Sequence, residues 1–157
     1  ISLILAGKVG SSIASEIGSM RVTEQIDALE IMGVNSASFL IFPKIIASIF
    51  FFPLLVIMSM GIGMIGAWVG ALSSDITTSA FLSGLKYEFN SFYVHYAIIK
   101  TIFFAFIISS VSAYFGYYTK GGAIAVGKSS TQAVVSSSIL ILLFNYILTD
   151  LILSWLK

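Results

Sequence analysis

Long stretches without a charged side chain dominate the pattern of hydrophobic and polar positions along the chain. No charge occurs in residues 45–74, 101–119 or 129–149. A membrane-spanning helix needs about 20 apolar residues, and in hydrocarbon a helix satisfies its own backbone hydrogen bonds. Apolar residues within these stretches are continuous rather than alternating, which disfavours a β-barrel. The pattern therefore predicts three full transmembrane helices in an all-α polytopic membrane protein.

The segment at positions 1–20 predicts the end of a fourth membrane helix. Apolar residues reach position 1, and the sequence has neither an initiating Met nor the charged start of a signal peptide. We therefore expect residues 1–157 to form a single membrane domain that lacks its N-terminal part. A short interfacial helix is the alternative interpretation of this segment.

A short polar segment, residues 21–44, separates the first two membrane helices. Thr23 is placed to cap a helix that Gly33 and Asn35 would end. A helix of about ten residues is too short to cross a bilayer and is marginal on its own in water. Glu24, Asp27 and Glu30 form an acidic stripe along this helix. Ile26, Leu29 and Met32 form an apolar stripe on a neighbouring face.

Two interpretations of this short helix are open. It can pack as a solvated helix on its own domain, or it can dock a soluble partner protein. Pro43 is expected in the first turn of the following membrane helix, where its missing N–H costs nothing.

Composition supports the membrane assignment and excludes several classes of function. The chain is 58% hydrophobic and 10% charged, against roughly 25% charged in soluble domains, and its mean hydropathy is +1.03. These values argue against a water-soluble enzyme. A net charge of +1, no Cys and one His give no basis for nucleic-acid binding, a disulfide framework or a metal centre. We therefore expect no catalytic residue, cofactor or metal in the chain.

Two glycine motifs match nucleotide-binding patterns. Residues 61–66 read G-x-G-x-x-G, and residues 122–129 fit the Walker A pattern G-x-x-x-x-G-K-S. Both patterns hold phosphate only between a strand and a helix, whereas here each adjoins or lies within a predicted membrane helix. We expect the second motif to form a tight turn, with Ser129 or Ser130 capping the next helix.

Glycine spacing in the first motif indicates helix packing instead. Gly66 and Gly70 form a G-x-x-x-G pair, and small residues at this spacing allow two membrane helices to approach closely. We therefore expect these two glycines to lie in a helix–helix contact.

Residues 7–35 resemble the signature region of the MlaE/YrbE permeases. These are membrane subunits of bacterial lipid-transporting ABC systems that work with MCE proteins. The block EIGSMRVTEQIDAL, residues 16–29, is the most specific part of the resemblance. The resemblance extends to further positions, namely residues 42–47, 53–55, Lys100, 120–127 and 148–149. The chain departs from the family pattern at four positions: Lys8 and Lys128 stand in place of Arg, Ser36 stands in place of Pro, and Asp150 adds a charge.

The resemblance implies a function and a set of partners. It implies a permease subunit in the bacterial inner membrane that moves phospholipid or related lipids, forms a homodimer, and works with a cytoplasmic ABC ATPase and a periplasmic MCE-domain lipid-binding protein. ATP hydrolysis would then belong to the partner ATPase. A structural membrane scaffold that anchors partner proteins without moving a substrate is the alternative function.

Site residues follow from the same resemblance. Residues 23–32 look like the coupling helix that docks into the ATPase, within a cytoplasmic coupling loop at 21–44. The residues expected to couple to the ATPase are Arg21, Thr23, Glu24, Gln25, Asp27, Glu30 and Met32. Three further charged residues are expected to line the lipid path or to lie at helix ends, namely Lys8, Glu16 and Lys100.

Basic residues agree weakly with this topology. If residues 21–44 and 120–128 are cytoplasmic, five basic residues lie on that side and three on the other. The outer segment, residues 75–96, is expected to lie along the opposite membrane surface. Its apolar residues at helical spacing are Phe81, Leu82, Leu85 and Phe89, and an aromatic belt follows at Phe92, Tyr93 and Tyr96.

Overall fold

A computed structural model describes residues 1–74, 76–88 and 91–154, and these residues contain helices but no strand. The elements in chain order are α1 (Ser2–Leu5), a π-helical turn (Ala6–Gly10), α2 (Ser11–Val22), α3 (Gln25–Ile31), α4 (Ser36–Leu72), α5 (Thr78–Glu88), α6 (Ser91–Tyr117) and α7 (Ala123–Ser154).

Three of these helices are long and apolar enough to cross a membrane. They are α4, α6 and α7, with candidate spans Ser36–Leu72, Ser91–Tyr117 and Ala123–Leu151. Many large apolar side chains on α4 point away from the rest of the chain, as lipid-facing side chains do, for example Phe50, Phe51 and Ile62. The predicted all-α polytopic membrane fold is confirmed.

Residues 2–22 form an almost continuous helical stretch that contacts both α6 and α7. Its π-helical turn at Ala6–Gly10 lies between α1 and α2. The stretch is buried in the bundle at Ala6, Gly10, Ile13, Ala14 and Ile17, whereas Leu3 and Ile4 at its start are exposed. The membrane-helix interpretation of this segment stays a prediction.

Helices α2 and α6 approach each other closely at glycine positions. A Cβ atom built on Gly116 would lie 2.8 Å from the Ala14 carbonyl oxygen and 3.0 Å from the Ile17 Cβ. A Cβ atom on Gly10 would lie 2.9 Å from the Ser112 Oγ. Small residues four positions apart, at 10, 14 and 18, allow this approach. This repeat was not among the predicted helix contacts.

Gly66 and Gly70 do not make such a contact with any described residue. A Cβ atom on either glycine would meet nothing within 4 Å. The spacing of small residues shows that a close approach is allowed, but it does not show which helix face has a neighbour. Helix packing at these two glycines therefore stays a prediction, and it would need a surface outside the described chain.

The predicted start of α4 is wrong. Asn35 caps the helix, because its side chain accepts a hydrogen bond from the Ser38 backbone N–H at 3.1 Å. The helix therefore begins at Ser36, and Pro43 lies inside it rather than in its first turn.

The predicted cap of α7 is also wrong. Gly121 has a φ of +119°, a conformation that glycine adopts easily, and α7 begins soon afterwards at Ala123. Ser129 and Ser130 therefore lie inside the helix. Their hydroxyls donate to the carbonyl oxygens of Val126 and Ser11, respectively.

Of the described residues in the segment predicted at 75–96, only Thr78–Glu88 form a separate helix, α5, whereas Phe92, Tyr93 and Tyr96 of the expected aromatic belt lie in the spanning helix α6. The position of α5 on the outer membrane surface stays a prediction.

Phe81, Leu82 and Leu85 line an apolar groove together with residues of α4 that include Trp68. Phe89, which was expected to continue this stripe, lies outside the described residues. The groove shows that α5 places its apolar face beside the end of α4.

Enlarging Gly116 should destabilise the bundle. Gly116→Leu would force α2 and α6 apart, and overpacking of this kind typically costs about 1–3 kcal/mol. We expect a lower thermal unfolding temperature in detergent and less monodisperse protein. Gly61→Leu is the matched control, because a Cβ atom at Gly61 meets nothing within 4 Å. Equal unfolding temperatures for the two variants would contradict the close approach.

Candidate functional site

Helix α3 is anchored to the membrane bundle by one apolar side chain. Ile26 is fully buried and packs in a cluster with Ile13, Ile17 and Ala113. This cluster joins α3 to α2 and α6. Burying one side chain of this size contributes on the order of 1.5–3 kcal/mol to holding the short helix on the bundle.

The ends of α3 differ in part from the prediction. Its seven residues begin at Gln25, and Glu24 before them has a left-handed backbone with φ 59°. Thr23 caps the end of α2 instead of starting α3, since its hydroxyl donates to the Ser19 carbonyl oxygen at 2.9 Å. Gly33, with φ +77°, follows the end of α3 as predicted, but Asn35 begins α4.

A three-way hydrogen-bond network links α3, α4 and α6. The Glu30 Oε1 atom accepts from the Ser36 hydroxyl at 2.9 Å and from the Tyr117 hydroxyl at 3.0 Å. The two hydroxyl oxygens are themselves 2.9 Å apart. We call Glu30, Ser36 and Tyr117 the latch. It connects the segment between α2 and α4 to the end of a membrane helix.

Hydrogen bonds in the latch favour the charged form of Glu30. Those from Ser36 and Tyr117, together with the nearby positive charge of Arg21, lower the pKa of Glu30 below its usual value. The carboxylate is therefore charged at neutral pH. Its contribution to the latch is present above the ordinary glutamate pKa and is lost as the pH falls through the lowered value.

Arg21 completes the attachment of this segment. Its Nη1 atom lies 2.7 Å from the Asp27 Oδ1, and its guanidinium lies over the Tyr117 ring at 5.7 Å from the centroid. Arg21, Asp27 and Glu30 therefore hold the segment together within the chain. These three predicted coupling residues have in-chain partners.

Other predicted coupling residues face outward. Thr23, Glu24, Gln25 and Met32 are exposed. Ile31, which the sequence analysis did not single out, is 88% exposed, and Met32 is 67% exposed. Exposed apolar side chains beside acidic ones are typical of protein-docking surfaces. The packing interpretation therefore holds for Ile26, Asp27 and Glu30, while docking by the outward side chains stays a prediction. We call Glu24, Gln25, Ile31 and Met32 the outward face.

The charges at positions 8 and 16 lie within the helical stretch of residues 2–22, not at its ends. The Glu16 Oε2 atom pairs with the Lys44 Nζ at 2.7 Å, which joins α2 to α4. Lys8 is exposed in the π-helical turn and has no ion-pair partner among the described residues. A helix-end position is therefore wrong for Glu16, which lies in the middle of α2, whereas Lys8 lies in the last turn of the π-helical segment. A place in the lipid path stays a prediction for each.

Lys100 lies inside α6 and is 9% exposed. Its Nζ donates three hydrogen bonds, to the Tyr96 hydroxyl at 2.6 Å, the Thr149 Oγ1 at 2.7 Å and the Asn145 Oδ1 at 2.8 Å. Its Nζ also lies 4.6 Å from the centroid of the Tyr96 ring. All three ammonium protons therefore have acceptors, and α6 and α7 are joined by what we call the lysine cluster.

No carboxylate pairs with Lys100 within the described residues. Three neutral oxygens satisfy its hydrogen bonds, but they leave its positive charge without a counter-charge. A lone charge inside a membrane helix is costly and most often belongs to a functional path. Asn145 is exposed, so the lysine cluster can be reached from the surface of α7.

Neither nucleotide-binding pattern has the geometry it would need. Gly127 and Lys128 lie inside α7, and the helix α6, not a strand, precedes the Walker A match. Residues 61–66 lie inside α4. Residues 61–66 and Gly127–Lys128 have their backbone N–H groups bonded within their helices, and a helix precedes the Walker A match where a phosphate site needs a strand. Neither pattern therefore has the strand–loop–helix context of a phosphate cradle.

Comparison with known proteins identifies relatives along nearly the whole chain. The family described as Permease MlaE matches residues 1–151. A probable ABC transporter permease protein of Rickettsia bellii is 46% identical over 150 residues, covering 95% of this chain and 58% of that protein. A similarly named protein of Synechocystis is 37% identical over 158 residues, covering 99% of this chain and 57% of that protein.

A plant relative is also similar. The chloroplastic protein TRIGALACTOSYLDIACYLGLYCEROL 1 of Arabidopsis thaliana is 36% identical over 153 residues, covering 95% of this chain and 43% of that protein. The chain therefore spans less than three fifths of the length of the relatives described here.

Removing the Tyr117 hydroxyl should loosen the segment between α2 and α4, residues 23–35, which we call the coupling segment. Tyr117→Phe keeps the ring beside Arg21 but removes the hydrogen bond to Glu30. We expect amide hydrogen exchange in residues 25–34 to become severalfold faster, because local opening no longer has to break this contact. Tyr118→Phe is the matched control, since the Tyr118 hydroxyl has no hydrogen bond with the described residues. Unchanged exchange in Tyr117→Phe would show that the latch does not hold the segment.

Proposed function

Because the chain belongs to the MlaE permease family, we propose that it works as the membrane subunit of an ABC transporter for phospholipid or related lipids. Its three membrane-spanning helices make it a multi-pass membrane protein. The curated relatives from Rickettsia bellii and Synechocystis carry the name ABC transporter permease. In this proposal a cytoplasmic ATPase hydrolyses ATP, and the permease subunit converts the resulting movement into lipid transfer.

The outward face is the proposed contact with the ATPase. Its exposed apolar side chains, Ile31 and Met32, would supply the buried centre of an interface, and Glu24 would meet a basic group at its edge. The latch then gives the docked partner a direct mechanical connection to α6. Movement of α3 reaches Tyr117 through Glu30 without any further element.

The uncompensated charge of Lys100 is the observation that carries the lipid proposal. A phospholipid phosphate would supply the negative charge that the described chain lacks, and the exposed side of the lysine cluster gives it access. The name of the Arabidopsis relative contains that of a galactolipid, which supports a lipid in general but not a phosphate, because a galactolipid carries none. Lys100 precedes the end of α6 by several turns, so it lies about 25 Å along the helix from the latch.

A second copy of the permease is the proposed partner at Gly66 and Gly70. These glycines are open in the described chain, and their spacing suits a close helix contact. The periplasmic MCE-domain protein and the bacterial inner membrane are proposed from the resemblance alone. With the coupling segment cytoplasmic, the lysine cluster lies towards the periplasmic side, where lipid would pass to the MCE protein.

Docking can be tested on the outward face without disturbing the latch. Ile31→Ser should weaken ATPase binding about tenfold, because roughly 1.5 kcal/mol of apolar burial is lost, and Glu24→Lys should weaken it severalfold. Co-purification of the ATPase with full-length permease at matched membrane levels measures both effects. Asp27→Lys is less informative, since it also breaks the ion pair with Arg21.

Ile124→Ser is the matched control for the docking test. Ile124 is 91% exposed and lies on α7 outside the coupling segment. It should leave ATPase recovery unchanged. Wild-type recovery with both Ile31→Ser and Glu24→Lys would refute docking through the outward face.

Lys100→Met should reduce lipid stimulation of ATP hydrolysis. The variant removes the positive charge but keeps an unbranched side chain in the same space. We expect basal ATPase activity of the reconstituted complex to persist, because the outward face is unchanged. Stimulation by added phospholipid should fall by about tenfold or more, as expected when a charge-assisted contact of about 1.4 kcal/mol or more is lost.

Lys86→Met provides the control for loss of a lysine, since Lys86 is exposed on α5. Its lipid stimulation should match the wild type. Undiminished stimulation in Lys100→Met would remove Lys100 from the lipid path. No lipid stimulation in the wild-type complex would favour the scaffold function instead.

A further inference from the structure

A second basic site lies at the other end of the α6–α7 pair. A groove of about 360 Å³ separates the end of α6 from the start of α7. Lys120 and Lys128 line it together with Tyr114, Tyr118 and Gln132. Neither lysine forms an ion pair with the described residues, and both are exposed. The groove therefore carries two positive charges without a counter-charge.

Positions of the two lysines place the groove at a membrane boundary. Lys120 directly follows the charge-free run 101–119, and Lys128 directly precedes the charge-free run 129–149. Tyr114 and Tyr118, whose ring centroids are 4.9 Å apart, are exposed beside them. Tyrosine rings and lysines at the ends of membrane helices mark the level of the lipid headgroups.

The groove continues towards the apolar part of the helices. A neighbouring cavity of about 260 Å³ shares Phe115 and Gln132 with the first and extends to Val135 and Ser136. Val135 lies two helical turns beyond Lys128 on α7, or about 10 Å along the helix. The surface thus has a cationic end at the membrane boundary and a less polar end deeper in the span.

We propose that this surface, which we call the basic groove, binds one anionic phospholipid. Its phosphate and anionic headgroup would lie between Lys120 and Lys128, and an acyl chain would lie along Phe115 and Val135. Basic pockets between membrane helices recognise anionic headgroups in this way. The proposal uses the Walker A lysine, Lys128, as a membrane-surface cation and not as a nucleotide ligand.

The basic groove is separate from the proposed transport path. It lies at the same end of α6 as the latch, because Thr119, which lines the groove, is two residues from Tyr117. Helix α2 also passes close by, since a Cβ atom on Gly18 would be 3.2 Å from the Thr119 Oγ1 and 3.4 Å from the Val126 Cγ1. Lys100 lies about 25 Å away along α6. The proposal therefore does not depend on lipid transport, and a lipid bound there would contact α6 close to Tyr117.

Native mass spectrometry of the full-length permease in detergent tests the proposal. Phosphatidylglycerol and phosphatidylcholine with identical acyl chains are titrated separately. We expect tighter binding of phosphatidylglycerol, weakened about fivefold by Lys120→Gln or Lys128→Gln and about 30-fold by the double variant. Lys128→Arg, which keeps the charge, should bind phosphatidylglycerol like the wild type.

Two controls separate this site from others. Lys86→Gln should leave phosphatidylglycerol binding unchanged. When Lys100→Met is also present, the Lys120→Gln and Lys128→Gln double variant should weaken phosphatidylglycerol binding by the same factor as it does without Lys100→Met. This is expected because the two sites are independent. Equal binding of the two lipids, or wild-type phosphatidylglycerol binding by the double variant, would overturn the proposal.

Competition distinguishes a lipid from a free phosphate. Millimolar inorganic phosphate or ATP should not displace phosphatidylglycerol, because neither has an acyl chain to occupy the deeper cavity. Displacement by either, abolished in the double variant, would identify a soluble-anion site and would overturn the lipid assignment.

Discussion

The backbone contact between α2 and α6 at Gly116 brings the segment that follows α2 to the end of α6. Lipid tails are as apolar as the helices they surround, so helices in a membrane associate by close packing more than by exclusion of water. Gly116 lets the Ala14 carbonyl approach α6 directly. This contact fixes how far α2 extends past the end of α6. Ile26 can then bury itself beside Ala113, and Glu30 can reach Tyr117.

Helix α6 connects the two ends of the molecule. Tyr117, the last residue of α6, donates a hydrogen bond to Glu30 of the coupling segment. Lys100 donates hydrogen bonds to neutral oxygens of Asn145 and Thr149 on α7. The first contact lies at the membrane surface and is made by an exposed carboxylate. The second is buried, so its charge cannot be screened by water. Helix α6 therefore bonds to the coupling segment at one end and holds the uncompensated charge of Lys100 in its interior.

The sequence was sufficient for the elements that a strong physical constraint determines. Charge-free runs predicted the three spanning helices, since no other backbone structure suits hydrocarbon for a chain of this pattern. Helix ends were less predictable, because several residues can cap a helix and the choice depends on neighbours. Thr23 bonds back to α2, and Asn35 starts α4 well before the charge-free run that begins at Ile45.

Tertiary partners were the least predictable part of the site. Lys100 was a predicted site residue, but its acceptors Asn145 and Thr149 were not, because they lie on a different helix far along the chain. Their spacing of four, matched by Tyr96 and Lys100 on α6, was the available signal. Gly66 and Gly10 belong to equally good small-residue patterns, and local spacing cannot tell which one meets another helix of the chain.

Two prolines give α4 a different mechanical character from α6. Pro43 and Pro53 have no N–H, so the carbonyl groups of Phe39 and Ile49 lack their usual helical donors. Helices bend most readily at such points. Helix α4 therefore has two points at which bending is easy, whereas α6 contains no proline. The latch joins a helix that bends readily to one that has no such point.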